Sequence, residues 1–216
     1  LEWYRVGYSM FDLIGEVEAL IGVLANAETH WLPAERLSYR EAFSHHTGLD
    51  PVTAPLGDLA HAAEALGLPE AAGLCGTDRI AWLDLLFSHC VQPKLGRQRL
   101  TSVYHYPAFM PSLAQACPGD SRYVERFEVF LSGLELGNGY HELADPVEQE
   151  RRFASDNRQR QRQNLPVPVC DQRLLAALQA GLPDCSGIAM GLDRLLLALT
   201  GSEALEAVLA FPVDRA

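Results

Sequence analysis

The 216-residue sequence is short of long apolar runs, of positive charge and of patterned cysteines. No apolar run approaches the ~18 residues that a membrane-spanning helix needs, so we expect no membrane contact. Lys and Arg number 17 against 28 Asp and Glu, and the net charge of −11 argues against a broad nucleic-acid-binding surface. No repeat or low-complexity stretch interrupts an ordinary globular composition, and the length suggests one or two domains.

The five cysteines show neither a Cys-x-x-Cys pair nor a zinc spacing; they lie at positions 75, 90, 117, 170 and 185. An odd number cannot form a complete disulfide framework, so a reducing cytoplasm is the expected compartment. His89 and Cys90 close a predicted helix at Asp78–Cys90 and invite a metal interpretation. Adjacent helical residues point in different directions, however, so core packing is the better interpretation.

The most informative stretch is Cys185–Gly201. It opens with small apolar residues and two glycines, a pattern typical of a buried strand that another group approaches closely. A helix lying on the core should follow, with apolar residues at Leu192, Leu195, Leu196 and Leu199. We expect this helix to end at Gly201. Arg194 lies near the join, where a guanidinium suits a nucleotide triphosphate. A packing turn with a surface arginine fits the same residues.

Elsewhere the pattern alternates between predicted strands and helices. We expect the end of a buried strand at Leu1–Tyr8, and a helix begun by Ser9 and Asp12. Ser38 should cap a second helix, and residues 37 to about 95 should be mostly helical. Further strands are predicted at Leu100–Tyr106, Val124–Leu131 and Leu134–Tyr140, with a Ser132–Gly133 hairpin turn and a closing strand at Val208–Val213.

Carboxylates on the predicted hairpin are candidate ligands. Glu128 and Glu135 lie on neighbouring strands and would reach one spot if they shared a face, where a divalent cation would relieve their repulsion. Two separately solvated acids explain the spacing equally well. Asn138, Tyr140 and Glu142 alternate, so one face would carry an amide, an aromatic wall and a carboxylate, which suits an aliphatic amine. A polar edge strand is the alternative.

A charged helix is predicted from Asp145 to Asn164. It is either a docking surface for an acidic partner or a solvated helix held by pairs three and four residues apart. The solvated helix is the simpler interpretation. Its charged residues are Arg151, Arg152, Arg158, Arg160, Arg162, Glu148, Glu150 and Asp156.

Three segments together resemble class II aminoacyl-tRNA synthetases. Gly187-x-Ala189-x-Gly191-Leu192-Asp193-Arg194 resembles motif 3, Arg126–Asp145 resembles the amino-acid-binding strand pair of the lysyl branch, and Leu1–Arg5 resembles the tail of motif 2. The whole chain is most similar to the lysyl-tRNA synthetase paralogues that attach (R)-β-lysine to elongation factor P. The resemblance implies an α+β fold, an antiparallel sheet flanked by helices and truncated at its N-terminus. Residues 1–216 would be a partial catalytic domain running from the end of motif 2 to motif 3, with a helical insertion at about 37–95.

The resemblance also implies a role for each site residue. Glu128 and Glu135 would hold Mg²⁺ against ATP, and Arg194 and Glu135 would be catalytic. Contacts to ATP would come from Glu135, Leu136, Gly191 and Arg194. The substrate pocket would be formed by Tyr4, Asn138, Tyr140, Glu142 and Ala189, with Glu142 gripping the substrate amine. Ala189 stands where lysyl-tRNA synthetases usually have glycine, which marks the β-lysine branch.

The expected function is that of an ATP-dependent ligase. It would activate (R)-β-lysine as an adenylate and transfer it to a lysine of elongation factor P, in the cytoplasm, as a homodimer and without tRNA. The alternatives are a lysyl-tRNA synthetase core and a non-catalytic module that docks on a translation factor. The sequence begins without Met, and motif 1 and the motif 2 arginine do not occur in it. We therefore expect a fragment that is inactive alone.

Overall fold

A six-stranded sheet runs through the chain, with helices on both of its faces. The computed structural model describes residues 1–25 and 32–215. The strands are β1 (Glu2–Val6), β2 (Glu35–Ser38), β3 (Thr101–Pro107), β4 (Tyr123–Leu131), β5 (Leu134–His141) and β6 (Cys185–Met190), in the order β1-β6-β5-β4-β3-β2. Every neighbouring pair is antiparallel except β2 and β3, which are parallel. The expected α+β fold is confirmed, with that one parallel pair as a departure.

Five of the eight described α-helices begin at a capping side chain. They are α1 (Met10–Leu24), α2 (Tyr39–Thr47), α3 (Leu56–Ala65), α4 (Ala71–Cys75), α5 (Arg79–Leu86), α6 (Pro146–Arg162), α7 (Gln172–Ala180) and α8 (Leu192–Thr200). Ser9 with Asp12 forms a capping box at α1, and Ser38 with Glu41 forms one at α2. A π-helical turn at Phe87–Val91 and a 3-10 turn at Gln92–Lys94 follow α5. The segment from α2 to Lys94 is thus largely helical; that it is an insertion stays a prediction.

Two hydrophobic cores lie on opposite faces of the sheet. On one face α1 and α8 pack against β4, β5 and β6, through residues such as Leu13, Ile14, Leu195, Phe127 and Ile188. On the other face α2, α3 and α5 cover β3 and β4, through residues such as Tyr39, Leu59, Leu83, Val103 and Phe130. Within the described residues, α2, α3 and α5 cover only the half of the second face that β3 and β4 form. The other half, over β5, β6 and β1, carries the site described below.

Three predictions about buried segments are wrong. The strand at the start of the chain is largely exposed, because among the described strands β1 pairs only with β6 and forms the sheet edge. In α8 only Leu195 is buried, while Leu192 and Leu196 are 54% and 45% exposed, because one side of the helix rests on β5. Residues 208–213 form no strand, since no described strand lies beside them and Pro212 lacks a donor N–H.

Helix α6 uses several of its arginines internally. The buried Arg152 donates to the carbonyls of Ser112 at 3.1 Å and Ala114 at 2.7 Å, and to Glu148 at 2.8 Å. Arg151 also pairs with Glu148, and Arg160 donates to the carbonyl of Pro166. These contacts favour the solvated, internally paired helix over the docking surface.

The described residues contain neither a disulfide nor a membrane-spanning helix. All five cysteines lie in the described part of the chain, and each is a free thiol. None of the described helices combines the length and the apolar composition that a membrane crossing requires.

Candidate active site

Two rows of side chains cross the uncovered half of the sheet. Residues in register on neighbouring strands point to the same face, so each row presents its members together. The rows are Tyr4–Gly187–Tyr140–Arg126 and Glu2–Ala189–Asn138–Glu128. The sheet therefore brings five of the predicted site residues onto one face.

Gly187 lets the Tyr4 ring and the Glu142 carboxylate pack closely over its backbone, and we call this side-chain cluster the recess. A Cβ placed at Gly187 would lie 2.5 Å from Cε1 of Tyr4 and 2.8 Å from Oε1 of Glu142, so only glycine leaves room for both. Burial first, and then the nearby Glu2, raises the pKa of Glu142 to about 7, while His141 opposes the shift. The hydroxyl of Tyr4 donates to the Glu2 carboxylate at 2.5 Å. Two carboxylates beside an aromatic ring form a recess suited to an ammonium group.

A β-bulge brings Glu135 to the same face as Glu128. Plain alternation from Asn138 would place Leu136 there. Instead Val129 pairs with Gly137 and Phe130 pairs with Glu135, so Leu136 is the extra residue. The Leu136 side chain is 1% exposed and lies in the core of the opposite face. Leu136, a predicted ATP contact, can therefore meet a ligand only through its backbone.

The two carboxylates of this hairpin influence each other. Burial raises the pKa of Glu135, and repulsion from Glu128 adds to the shift, whereas Arg194 and Arg126 oppose it. Arg126 donates to Oε1 of the buried Glu128 at 2.6 Å. Neighbouring carboxylates are a donor set that fits Mg²⁺. In residues 1–25 and 32–215, no three His, Cys, Asp or Glu side chains are grouped closely enough to hold a metal, so phosphate oxygens or water would complete its coordination.

Arg194 and Glu135 border an open cavity of about 550 Å³. Nη1 of Arg194 donates to the backbone carbonyl of Glu135 at 3.0 Å and lies 4.0 Å from its carboxylate. Oδ1 of Asn138, also in the wall, is buried without a hydrogen-bond partner in the described chain, so it presents an unused acceptor. The remaining wall includes Glu2, Ala189 and Gly191. We call this cavity the cradle.

Glu128 lies in the wall of a second cavity, of about 430 Å³. The two cavities meet at Glu135, which borders both. The predicted roles of Glu128 and Arg194 toward one ATP molecule require a common space. The structure instead places these two residues in the walls of different cavities. They lie on either side of Glu135.

Comparison with known proteins identifies the family. Residues 13–215 match the sequence profile of the class II tRNA synthetases (D, K and N). The chain belongs to this family. Synthetase relatives from Klebsiella pneumoniae subsp. pneumoniae, Klebsiella pneumoniae strain 342 and Salmonella dublin are each named elongation factor P–(R)-β-lysine ligase. Each is 47% identical over all 216 residues, and the chain spans 65% of the length of each.

Sequence reasoning missed three residues of this candidate site. Glu2 precedes Tyr4 by two positions, and Arg126 precedes Glu128 by two, so strand alternation alone would have placed each on the site face. In the sequence, Gly187 is recognisable only as the first glycine of the segment that resembles motif 3. Its role as the floor of the recess depends on which side chains face it from β1 and the end of β5, and these come from distant parts of the chain.

Proposed function

We propose that the protein containing this chain is an ATP-dependent ligase that activates (R)-β-lysine and transfers it to a lysine of elongation factor P. The observation that carries the proposal is the position of two sites on one sheet face. The recess, in which Tyr4 and Glu142 pack over Gly187, lies next to a cradle bordered by Glu135 and Arg194. The names of the relatives support this choice of substrates.

In the activation step, a carboxylate oxygen of the amino acid attacks the α-phosphorus of ATP. A P–O bond forms, and pyrophosphate leaves with the electron pair of the broken bond. Both reactants are anionic, and Arg194 offsets their repulsion from the first turn of α8. Glu128 and Glu135 would hold Mg²⁺, which when bound neutralises charge on the phosphate oxygens.

The recess orients the amino acid for this step. Glu142 accepts hydrogen bonds from the substrate ammonium, and Tyr4 and Tyr140 border its aliphatic chain. Asn138 lies between the recess and Glu128 and offers its amide to the reacting end of the substrate. No side chain needs to act as a nucleophile, so correct placement supplies most of the rate enhancement.

In the transfer step, a neutral lysine amine attacks the carbonyl carbon of the adenylate. The C–N bond forms, the bond between that carbon and the phosphate oxygen breaks, and AMP leaves with the electron pair. The nitrogen then loses a proton to solvent. We further propose that the whole protein acts as a homodimer in the cytoplasm. The dimer is what the resemblance to lysyl-tRNA synthetases implies, and the free thiols agree with a reducing compartment.

A lysyl-tRNA synthetase core is the second candidate function. Ala189 favours the β-lysine ligase, because its exposed methyl group borders the cradle where the synthetases usually have glycine. One methyl group in a pocket discriminates by ~1–3 kcal/mol. A non-catalytic docking module is a third possibility that would leave the cradle without nucleotide.

The test is a stepwise assay on the full-length protein. We expect pyrophosphate exchange with (R)-β-lysine to exceed exchange with α-lysine, and elongation factor P to gain one β-lysyl group by mass spectrometry. Preference for α-lysine together with tRNA charging would establish the second candidate instead. Binding to elongation factor P without binding of Mg-ATP, measured by calorimetry, would establish the docking module.

A further inference from the structure

The second cavity is strongly acidic and opens beside the cradle. Its wall contains four carboxylates and one guanidinium, from Asp84 on α5, Asp156 on α6, Glu128, Glu135 and Arg126. Asp84 and Asp156 are exposed at its mouth, and Glu128 is buried at its inner end. The proposed activation step uses only the inner end, where Glu135 separates this cavity from the cradle.

A buried tyrosine hydroxyl in this wall lacks a partner. Tyr39 is 1% exposed, and its hydroxyl has no hydrogen-bond partner in the described chain, whereas the buried Tyr106 hydroxyl faces Glu128. Burial, and then the charges of Asp84 and Glu128, raise the pKa of Tyr39, as expected for a phenol facing the acidic cavity. A buried polar group without a partner is costly, so a cavity that keeps the Tyr39 hydroxyl unpaired is built to receive a polar ligand.

The remaining wall suits a ligand with an apolar stem. Phe87 stacks on Tyr39 with ring centroids 5.1 Å apart, and Ile80 and Met110 lie nearby in the wall. The guanidinium of Arg126 lies 4.3 Å from the centroid of the Tyr106 ring, so this cation already occupies one aromatic face. Carboxylates and phenol oxygens accept the three hydrogen bonds of a primary ammonium, and aromatic walls pack against an alkyl chain.

We propose that this cavity, the acceptor channel, binds a primary alkylammonium group, namely the lysine side chain of the protein that receives the acyl group. The proposal rests on the proposed function. A free amino acid is the other source of such an ammonium, but the recess at Glu142 already accommodates it on the far side of Tyr140. The channel mouth lies at the surface between α5 and α6, where a side chain from another protein can enter and approach the acyl group near Glu135.

The acceptor must lose one proton before it attacks. In the acceptor channel the ammonium gives this proton to water at the open mouth. The neutral amine then forms the C–N bond as the bond from the acyl carbon to AMP breaks, and its second proton also leaves to solvent. Asp84 and the Tyr39 hydroxyl position the amine and take no part in activation.

The test compares the two steps in Asp84→Asn and Tyr39→Phe variants of the full-length enzyme. We expect pyrophosphate exchange with (R)-β-lysine to stay within about twofold of wild type, while KM for elongation factor P in the transfer step rises ~10-fold or more. Asp58→Asn, at an exposed position in the first turn of α3, is the matched control and should change neither step. Thermal denaturation checks that each variant is folded.

A small acceptor mimic separates the possible ligands. Nα-acetyl-lysine methylamide should inhibit transfer competitively against elongation factor P in wild type, and the Asp84→Asn variant should lose this inhibition. Unchanged transfer in both variants overturns the proposal. A raised KM for (R)-β-lysine or Mg-ATP in exchange also overturns it, because the channel would then serve activation. Failure of wild type to catalyse exchange instead overturns the proposed function, and is seen before any variant is compared.

Discussion

Tyr4 and Glu142 meet over Gly187, although they lie 138 positions apart in the sequence. Gly187 pairs with Tyr4 on β1 and with Tyr140 on β5, and Glu142 follows directly after β5. The missing Cβ therefore leaves space for an aromatic ring and a carboxylate at once. The binding recess depends on a backbone position as much as on the side chains that border it.

Replacing Gly187 with alanine should weaken binding of the amino acid. The new methyl group would overlap the Tyr4 ring and the Glu142 carboxylate, and a methyl group in a tight pocket costs ~1–3 kcal/mol, or about 10- to 200-fold. We expect KM for (R)-β-lysine in pyrophosphate exchange to rise by that factor. Gly22→Ala is the control, because no atom lies within 4 Å of a Cβ at this helical position. An unchanged KM in Gly187→Ala would mean that the substrate lies elsewhere.

The raised pKa of Glu142 predicts an unusual pH dependence of stability. Its pKa is about 7 in the folded protein against 4.5 for an ordinary glutamate. At pH values between these two, the folded state binds more protons than the unfolded state. Protonation of Glu142 therefore stabilises the fold fully below pH 4.5, and this stabilisation is lost as the pH rises through 7. At pH 8 we expect ligand-free Glu142→Gln to melt at a higher temperature than wild type, by ~2–4 °C for each kcal/mol of unfolding free energy gained. At pH 4.5 the two proteins should melt at the same temperature.

The same carboxylate governs substrate binding, in the opposite direction. Ammonium binding requires the ionised form of Glu142, so wild-type affinity for (R)-β-lysine should fall as the pH drops below about 7. Glu142→Gln should bind weakly at every pH. Calorimetric titration at several pH values measures both effects. An affinity independent of pH from 5.5 to 8 would contradict the role given to Glu142.

Local features of the fold were readable from the sequence. Ser9 and Ser38 form the expected capping boxes, and Ser132–Gly133 forms the expected two-residue turn, with φ of 55° and 78°. The alternating faces of β4 also appear, with Phe127 and Phe130 in different cores. Each of these features depends on residues within a few positions, so a short sequence window contains the necessary information.

Features that depend on pairing partners were not readable. The bulge at Leu136 arises from the register between two strands, and alternation along one strand cannot reveal it. The exposure of β1 depends on which strands lie beside it, and the separation of Glu128 from Arg194 depends on where Glu135 points. The sequence therefore predicted several residues that the sheet brings onto one face, but not how the space beside them is divided.

Ala189→Gly should relax the choice between the two lysine isomers. Removing the exposed methyl group from the cradle wall restores the residue that is usual in lysyl-tRNA synthetases. We expect the ratio of kcat/KM for (R)-β-lysine over α-lysine in pyrophosphate exchange to fall by ~10-fold or more. Ala198→Gly, a change of the same size in α8, is the control and should leave the ratio unchanged. A stable ratio in Ala189→Gly would show that specificity lies with other groups.

Arg194→Lys should slow the activation step without lowering the stability of the fold. A lysine keeps the charge but cannot reproduce the planar fork that binds two phosphate oxygens. Loss of such a contact costs ~100-fold or more in kcat. We expect pyrophosphate exchange to fall by about this factor, with the melting temperature unchanged because the side chain is exposed. Arg151→Lys on the solvated face of α6 should leave exchange intact, and equal activity of both variants would remove Arg194 from the mechanism.

Arg152 is a structural arginine inside a helix that the sequence marks as a possible docking surface. Its guanidinium donates to the buried carbonyl of Ala114 and to the carbonyl of the exposed Ser112, so Arg152→Met would leave the buried acceptor without a donor. Each unsatisfied buried group costs ~1–3 kcal/mol. We expect the free energy of unfolding to fall by at least that amount, as measured by urea denaturation. Arg151→Met, which removes only an exposed pair, should leave the free energy of unfolding unchanged, and a larger loss in Arg151→Met than in Arg152→Met would support the docking surface instead.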